Sequence, residues 1–204
     1  MKLYHAARAP NPDRVICFLR AKGVLDKVEL HNLSLIEREH QTPEYRKISP
    51  FAKVPTLVLT DGTSLTESRA ICTYLEGEFP DVNLLGHDHI ERAKIEMWER
   101  QLDFMWMMQF AGWFRNIHPA MAPLEKPQIP EVGEKSERNA KAFVRKLDKH
   151  LGENEFVAAG RFTNADIFAY ILCGFAGVMK WKPHEDHSNI GAWHARMTDK
   201  GFAS

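Results

Sequence analysis

The sequence predicts an α/β domain at residues 1–80 followed by an all-α domain at residues 87–204. Three observations carry this. Short apolar runs and helical patterns alternate up to residue 80, the mark of helices packed on a sheet. Pro80-Asp81-Val82-Asn83-Leu84-Leu85-Gly86 is rich in turn formers and reads as a linker. After Asp88 strand patterning stops, and residues 89–117 hold no proline and a single glycine, Gly112.

In the first domain, Lys2–His5 reads as a strand and residues 12–22 as a helix. Val15, Ile16, Phe18 and Leu19 supply its apolar residues, and Gly23 closes it as a C-cap. A strand at 27–33 and a polar stretch follow. Two short strands, 56–60 and 63–66, flank Asp61-Gly62, a strong hairpin signal. Helix 67–79 carries Ala70, Ile71, Tyr74 and Leu75 at helical spacing. The order β-α-β-x-β-β-α matches a thioredoxin-like domain.

In the second domain, 89–117 reads as one long helix, kinked near Gly112. Pro119, Pro123, Pro127 and Pro130 make the next segment an irregular connection. Helix resumes at Glu134 and runs to Leu151. Thr163 and Asp166 form a capping box at the start of another helix, with Phe162 and Ile167 as its hydrophobic staple. A last helix covers 189–199.

Lys+Arg and Asp+Glu are both 27, so the net charge is zero and no basic excess points to nucleic acid. Three widely spaced cysteines, Cys17, Cys72 and Cys173, argue against a disulfide framework and read as small core residues. No apolar run is long enough to span a bilayer and no signal peptide is evident, so a reduced, cytoplasmic setting is expected.

The stretch from Phe51 to Leu75 holds the chemistry. A proline just before a strand cannot donate to the ladder, and a cis Pro55 that turns the chain and exposes backbone would account for it. Val54 would then offer its N–H and C=O to an extended peptide, as an added strand does. Ser68, at a helix N-terminus, would offer N–H and hydroxyl to a carboxylate, and Glu67 an acceptor to an ammonium. The plainer alternative for Glu67 and Ser68 is an ordinary helix start with a favourable acid.

Val-Pro, a hairpin, then Glu-Ser-Arg-Ala-Ile, in this order, resembles the glutathione-binding half of the cytosolic glutathione transferases, with bacterial phi-, beta- and nu-like features. The resemblance implies a glutathione transferase fold and a homodimer in which Arg69 and the long helix from residue 89 make contact. It implies glutathione as cosubstrate, no metal, and a small apolar electrophile as second substrate in a detoxification role. His40, within Glu39-His40-Gln41-Thr42-Pro43, resembles a phi-class segment that contacts the glycine carboxylate of glutathione, and Lys53 could reach the same group.

The family's thiol-activating residue follows strand one. Here Ala9 stands at the plant-type serine position and Asn11 at the beta-class cysteine position. Asn11 could donate an amide N–H to a thiolate, as in the nu class with its disulfide-bond reductase activity, or could simply cap helix one with Pro12 at N1. Tyr4 lies inside strand one and reads as packing. The missing Ser, Cys or Tyr also fits a non-catalytic binding or protein-interaction module. Phe104–Phe114 is apolar nearly all round and could line an apolar substrate pocket beside the sulfur, core packing being the plainer reading for each residue. His184-Glu185-Asp186-His187 has ligand-like spacing but reads as an exposed loop.

Overall fold

The computed structural model describes residues 1–203. The chain divides into two compact units, residues 1–84 together with those from Gly201 onward, and Leu85–Lys200. Residues 201–203 thus group with the first unit rather than with the helices. Ser204, the last residue of the expected helical domain, lies outside the described residues.

The first unit runs β1 (Lys2–His5), α1 (Pro10–Ala21), β2 (Glu29–Asn32), α2 (Pro43–Ile48), β3 (Thr56–Val58), β4 (Ser64–Thr66) and α3 (Ser68–Glu78). Its sheet has the order β2-β1-β3-β4. β1 runs parallel to β2 (Leu3 opposite Leu30) and antiparallel to β3 (Leu3 opposite Leu57), and β3 pairs antiparallel with β4 (Leu57 opposite Leu65). This is the thioredoxin-like order expected from the sequence. Leu3, Phe18, Leu19, Leu57, Ile71 and Leu75 are fully buried, and α1 packs on α3. Burial of each such side chain contributes about 1.5–3 kcal/mol.

Local chemistry sets the ends of these elements. Ala9 is the N-cap of α1 (φ −98°, ψ 127°) and Pro10 opens the helix, so the start lies two residues earlier than the sequence suggested. A proline at the first helical position gives up an N–H that would have no partner there. Gly23, at φ 70°, supplies the left-handed residue after the helix, and Val24 N–H closes the turn on Leu19 O at 3.0 Å. The buried Lys22 ammonium then ties α1 to Glu76 of α3 (2.8 Å) and to the Val82 carbonyl. The β3–β4 connection is wider than a two-residue turn. Leu59 N–H bonds Thr63 O at 2.8 Å, and Asp61 Oδ1 accepts from Thr63 N–H at 2.8 Å inside it. The stretch read as merely polar contains α2, capped by Thr42 Oγ1, which accepts from Tyr45 N–H at 3.2 Å.

The second unit is helical: α4 (His89–Gln101), a π-turn at Leu102–Met107, α5 (Met108–Ile117), α6 (Pro130–Glu153), α7 (Asn164–Ala176), α8 (Pro183–Asp186) and α9 (Ser188–Thr198). Asp88 caps α4 by accepting from Ile90 and Glu91 N–H at 2.9 and 2.8 Å. The helical path continues from His89 to Ile117, and its irregularity is the π-turn, not Gly112. Gly112 serves close packing instead, since a Cβ there would stand 2.7 Å from Ser136 Oγ of α6. α6 opens at Pro130, again a proline at N1, four residues before the expected start. The Val54-Pro55 and Lys126-Pro127 peptides are cis, the first as expected.

α7 is buried around most of its circumference and starts with the expected capping box. Asp166, itself buried, accepts from Thr163 N–H (3.0 Å), Val157 N–H (2.9 Å) and Trp193 Nε1 (3.0 Å). Burial outweighs these donors and pushes its carboxyl up to about 6. Among the described residues no helix is long and apolar enough to cross a membrane.

Candidate active site

β3 and β4 place the residues of interest at one end of the sheet. Thr56 pairs with Thr66, so Val54 lies just before one strand and Glu67 just after the other. Glu67 is the N-cap of α3 with φ 67° and ψ 114°. A non-glycine residue held there costs on the order of 1–3 kcal/mol, and such residues cluster at functional sites. The turn exposes the Glu67 carboxylate and makes Ser68 the first residue of α3, buried to 6% exposure.

Ser68 Oγ donates to Asn11 Oδ1 at 3.4 Å, across 57 residues of sequence. With its oxygen engaged, the Asn11 amide directs its two N–H donors elsewhere, and no side-chain acceptor among the described residues takes them. Asn11 is the second residue of α1, not its cap, which corrects the capping alternative and the placement of Pro12 at N1. Pro10 and Pro12 carry no N–H, and Asp13 N–H is taken by Ala9 O at 3.0 Å. The backbone cradle expected over 11–13 therefore shrinks to the Asn11 N–H.

Val54 is half-buried, and among the described residues no hydrogen bond uses its N–H or C=O. The residue before it is fixed firmly: Lys53 O accepts from Tyr45 OH at 2.7 Å and from Ser49 Oγ at 2.9 Å. The Lys53 side chain is exposed and stands near His40. Burial lowers the His40 pKa, and the positive charges of Lys53, Arg46 and Arg38 lower it further. This cationic corner suits a carboxylate. The structure thus brings His40 to Lys53, and Asn11 to Ser68, with Val54 and Glu67 between them.

Other candidates fall outside this cluster. Tyr4 packs its ring against His31 (4.9 Å between centroids) and Tyr45 (5.8 Å). All three cysteines are buried, and burial pushes the Cys17 thiol up to about 11, so none is a ready nucleophile. The apolar 104–114 stretch splits: Trp106, Phe110 and Trp113 are core, whereas Phe104, Met105 and Met108 are exposed. His184 stacks on His194 at 4.2 Å, and among the described residues no group of three or more His, Cys, Asp or Glu could hold a metal ion. Sequence reasoning missed Tyr45, Ser49 and Asn32, whose Oδ1 accepts from Ala7 N–H at 2.9 Å and steadies the loop after β1. The Thr42-Pro43 helix start was the one available signal for Tyr45.

A thioredoxin-like unit with an unpaired backbone edge before a cis proline, followed in the chain by an all-α unit, defines the glutathione transferase fold. The family description "Glutathione S-transferase, N-terminal domain" matches residues 3–83, and "Glutathione S-transferase, C-terminal domain" matches residues 104–200. Glutathione S-transferase 2 of Saccharomyces cerevisiae is 28% identical over 201 residues, covering 98% of this chain and 86% of the yeast protein. Glutathione S-transferase F10 of Arabidopsis thaliana is 30% identical, covering 92% of this chain and 87% of its own. The crystal structure of a glutathione S-transferase domain-containing protein from Marinobacter aquaeolei VT8 superposes with a TM-score of 0.93 at 36% identity, over 100% of both chains. The chain belongs to the glutathione S-transferase family.

Proposed function

We propose that the protein binds glutathione on its first unit and holds its thiol as a thiolate for attack on a small apolar electrophile, a peroxide or a disulfide. The observation that carries this reading is the Asn11–Ser68 contact beside the unpaired Val54 edge. Val54 N–H and C=O pair with the cysteinyl backbone of glutathione. Ser68 and the N-terminus of α3 hold the γ-glutamyl carboxylate, with Glu67 against its ammonium. His40 and Lys53 meet the glycine carboxylate. The Asn11 amide donates to the sulfur. Donation to a thiolate favours the charged form, and a free thiol of pKa about 8.5 is only a few per cent ionised at neutral pH.

The thiol proton leaves to water. The sulfur then forms a bond to an electrophilic carbon and expels its leaving group. On a disulfide, the thiolate displaces one sulfur as thiolate, and a second glutathione thiolate releases the other, giving glutathione disulfide. No protein thiol enters, because positions 9 and 11 are Ala and Asn. Calorimetry with glutathione, followed by turnover of an aryl halide, an organic hydroperoxide and a mixed disulfide, tests the reading. Binding with no turnover of any of the three would leave the non-catalytic module. No binding would overturn the assignment.

A cytoplasmic, detoxifying homodimer completes the proposal. Ile90, Met97, Phe104, Met105 and Met108 leave large apolar side chains exposed along the 89–117 run, and such surface suits a second copy. Light scattering should give about twice the chain mass of 23.4 kDa, and the monomer mass at micromolar concentration would refute it.

A further inference from the structure

Three buried hydroxyls converge on one backbone carbonyl, that of Lys53. Tyr45 OH lies at 2.7 Å, Ser49 Oγ at 2.9 Å and Thr56 Oγ1 at 3.3 Å. Ser49 and Thr56 are fully buried and Tyr45 is 4% exposed. A carbonyl oxygen has two lone pairs, so the two shorter bonds fill it, and the Thr56 hydroxyl completes the network through Tyr45 OH at 2.9 Å. Lys53 N–H also reaches Ser49 Oγ at 3.3 Å. For a single loop residue this is far more fixing than chain reversal requires.

The peptide plane gives the arrangement its purpose. Lys53 C=O and Val54 N–H belong to the same planar, trans peptide unit and point in opposite directions. Drawing the oxygen inward onto Tyr45 and Ser49 therefore turns the Val54 N–H outward. Tyr45 sits on α2, Ser49 just past its end and Thr56 on β3, so two elements grip that plane from the protein side. A donor left free to rotate would lose entropy on meeting a ligand, whereas a fixed one has already lost it.

We propose that Tyr45, Ser49 and Thr56 are positioning residues for glutathione: their hydroxyls lock the Lys53–Val54 peptide plane so that Val54 N–H is preset to receive the ligand backbone. This rests on the assignment of glutathione to the first unit. It predicts that affinity for glutathione depends on side chains that do not touch it.

The test uses the full-length protein. Tyr45→Phe and Thr56→Val should weaken glutathione binding by calorimetry about three- to tenfold, the scale of one lost hydrogen bond. The loss should fall on KM for glutathione rather than on kcat. Thr56→Ser, which keeps the hydroxyl, should retain wild-type affinity. A purely structural role would lower the melting temperature and leave the affinity of the folded protein unchanged, and that result overturns the inference. A second measurement needs no variant: in the wild type, the Val54 amide should exchange freely without glutathione and slow at least tenfold when it is saturated. Glutathione bound with Val54 unprotected overturns this inference and leaves the ligand assignment standing. No glutathione binding by the wild type overturns both.

Discussion

Ser68 Oγ and Asn11 Oδ1 meet at 3.4 Å, and this contact joins the first turns of α1 and α3. It gives Ser68 two partners to serve, a ligand carboxylate and the Asn11 amide. It also fixes which end of that amide is free. The contact makes the two residues one functional unit, so substitutions at either should show in measurements of the other.

Asn11→Ala should therefore act on chemistry more than on binding. With the amide gone, only the Asn11 backbone N–H remains near the helix start, and the apparent pKa of bound glutathione should rise by about one unit. Turnover at neutral pH should fall about several-fold to tenfold, and recover as pH is raised. The thiolate absorbance of bound glutathione against pH reads this directly. An unchanged pKa and unchanged turnover would move the activating donor elsewhere, with Tyr4 or Arg8 the next residues to test.

Ser68→Ala should cost glutathione affinity about 1–3 kcal/mol, the loss of a partner to a charged group. It should also release Asn11 Oδ1, so a smaller change in thiol pKa should accompany it. Combining Ser68→Ala with Asn11→Ala should give a thiol effect smaller than the sum of the two singles, because the residues share one contact. Calorimetry showing full affinity in Ser68→Ala would refute the binding role.

How much of this was legible in the sequence follows from how far apart the contacts lie. The hairpin, the cis Pro55 and the helix opening at Ser68 are local, set by Asp61-Gly62, Val54-Pro55 and Thr66-Glu67-Ser68, and were readable. So was the capping box of Thr163 and Asp166, which spans three residues. The positive φ of Glu67 had no residue-type signal, since glutamate is not a turn former. α2 buries Tyr45 alone, so no apolar period announced it. The long helical run was readable, but its π-turn at 102–107 was not, and the glycine taken for a kink proved to be a point of close packing.

Gly86 offers a stability test in the segment leading into α4. Its φ is 110°, and a Cβ there would stand 2.6 Å from the Arg92 backbone nitrogen. Its carbonyl also accepts from Arg92 Nε at 3.0 Å. Backbone cannot rotate away as a side chain can, so Gly86→Ala combines left-handed strain with overlap and should cost about 2–4 kcal/mol. Chemical denaturation measures it, and a loss below about 0.5 kcal/mol, the size of an ordinary surface substitution, would contradict the geometry.

Asp166 should give the second unit a distinctive pH dependence. Its carboxyl titrates at about 6 in the folded protein, because burial outweighs the donors from Thr163, Val157 and Trp193. In the unfolded chain it titrates near 3.9. The folded state thus binds the proton more tightly, so the stabilising contribution is complete below about pH 4 and is lost as pH rises through 6. Asp13, also pushed up to about 6 by burial, acts in the same sense, whereas His194, lowered to about 4 by burial and by His184, acts in the opposite one. The raw profile of the wild type mixes these groups, and comparison with Asp166→Asn isolates the one in question. Asparagine does not titrate, and its NH2 group faces donors that need an acceptor, so the variant should be less stable throughout. Its deficit against the wild type should shrink by about 1–3 kcal/mol between pH 4 and pH 7. Urea denaturation at unit pH steps measures that difference. Parallel profiles would mean that Asp166 stays ionised in the fold, with its three donors outweighing burial.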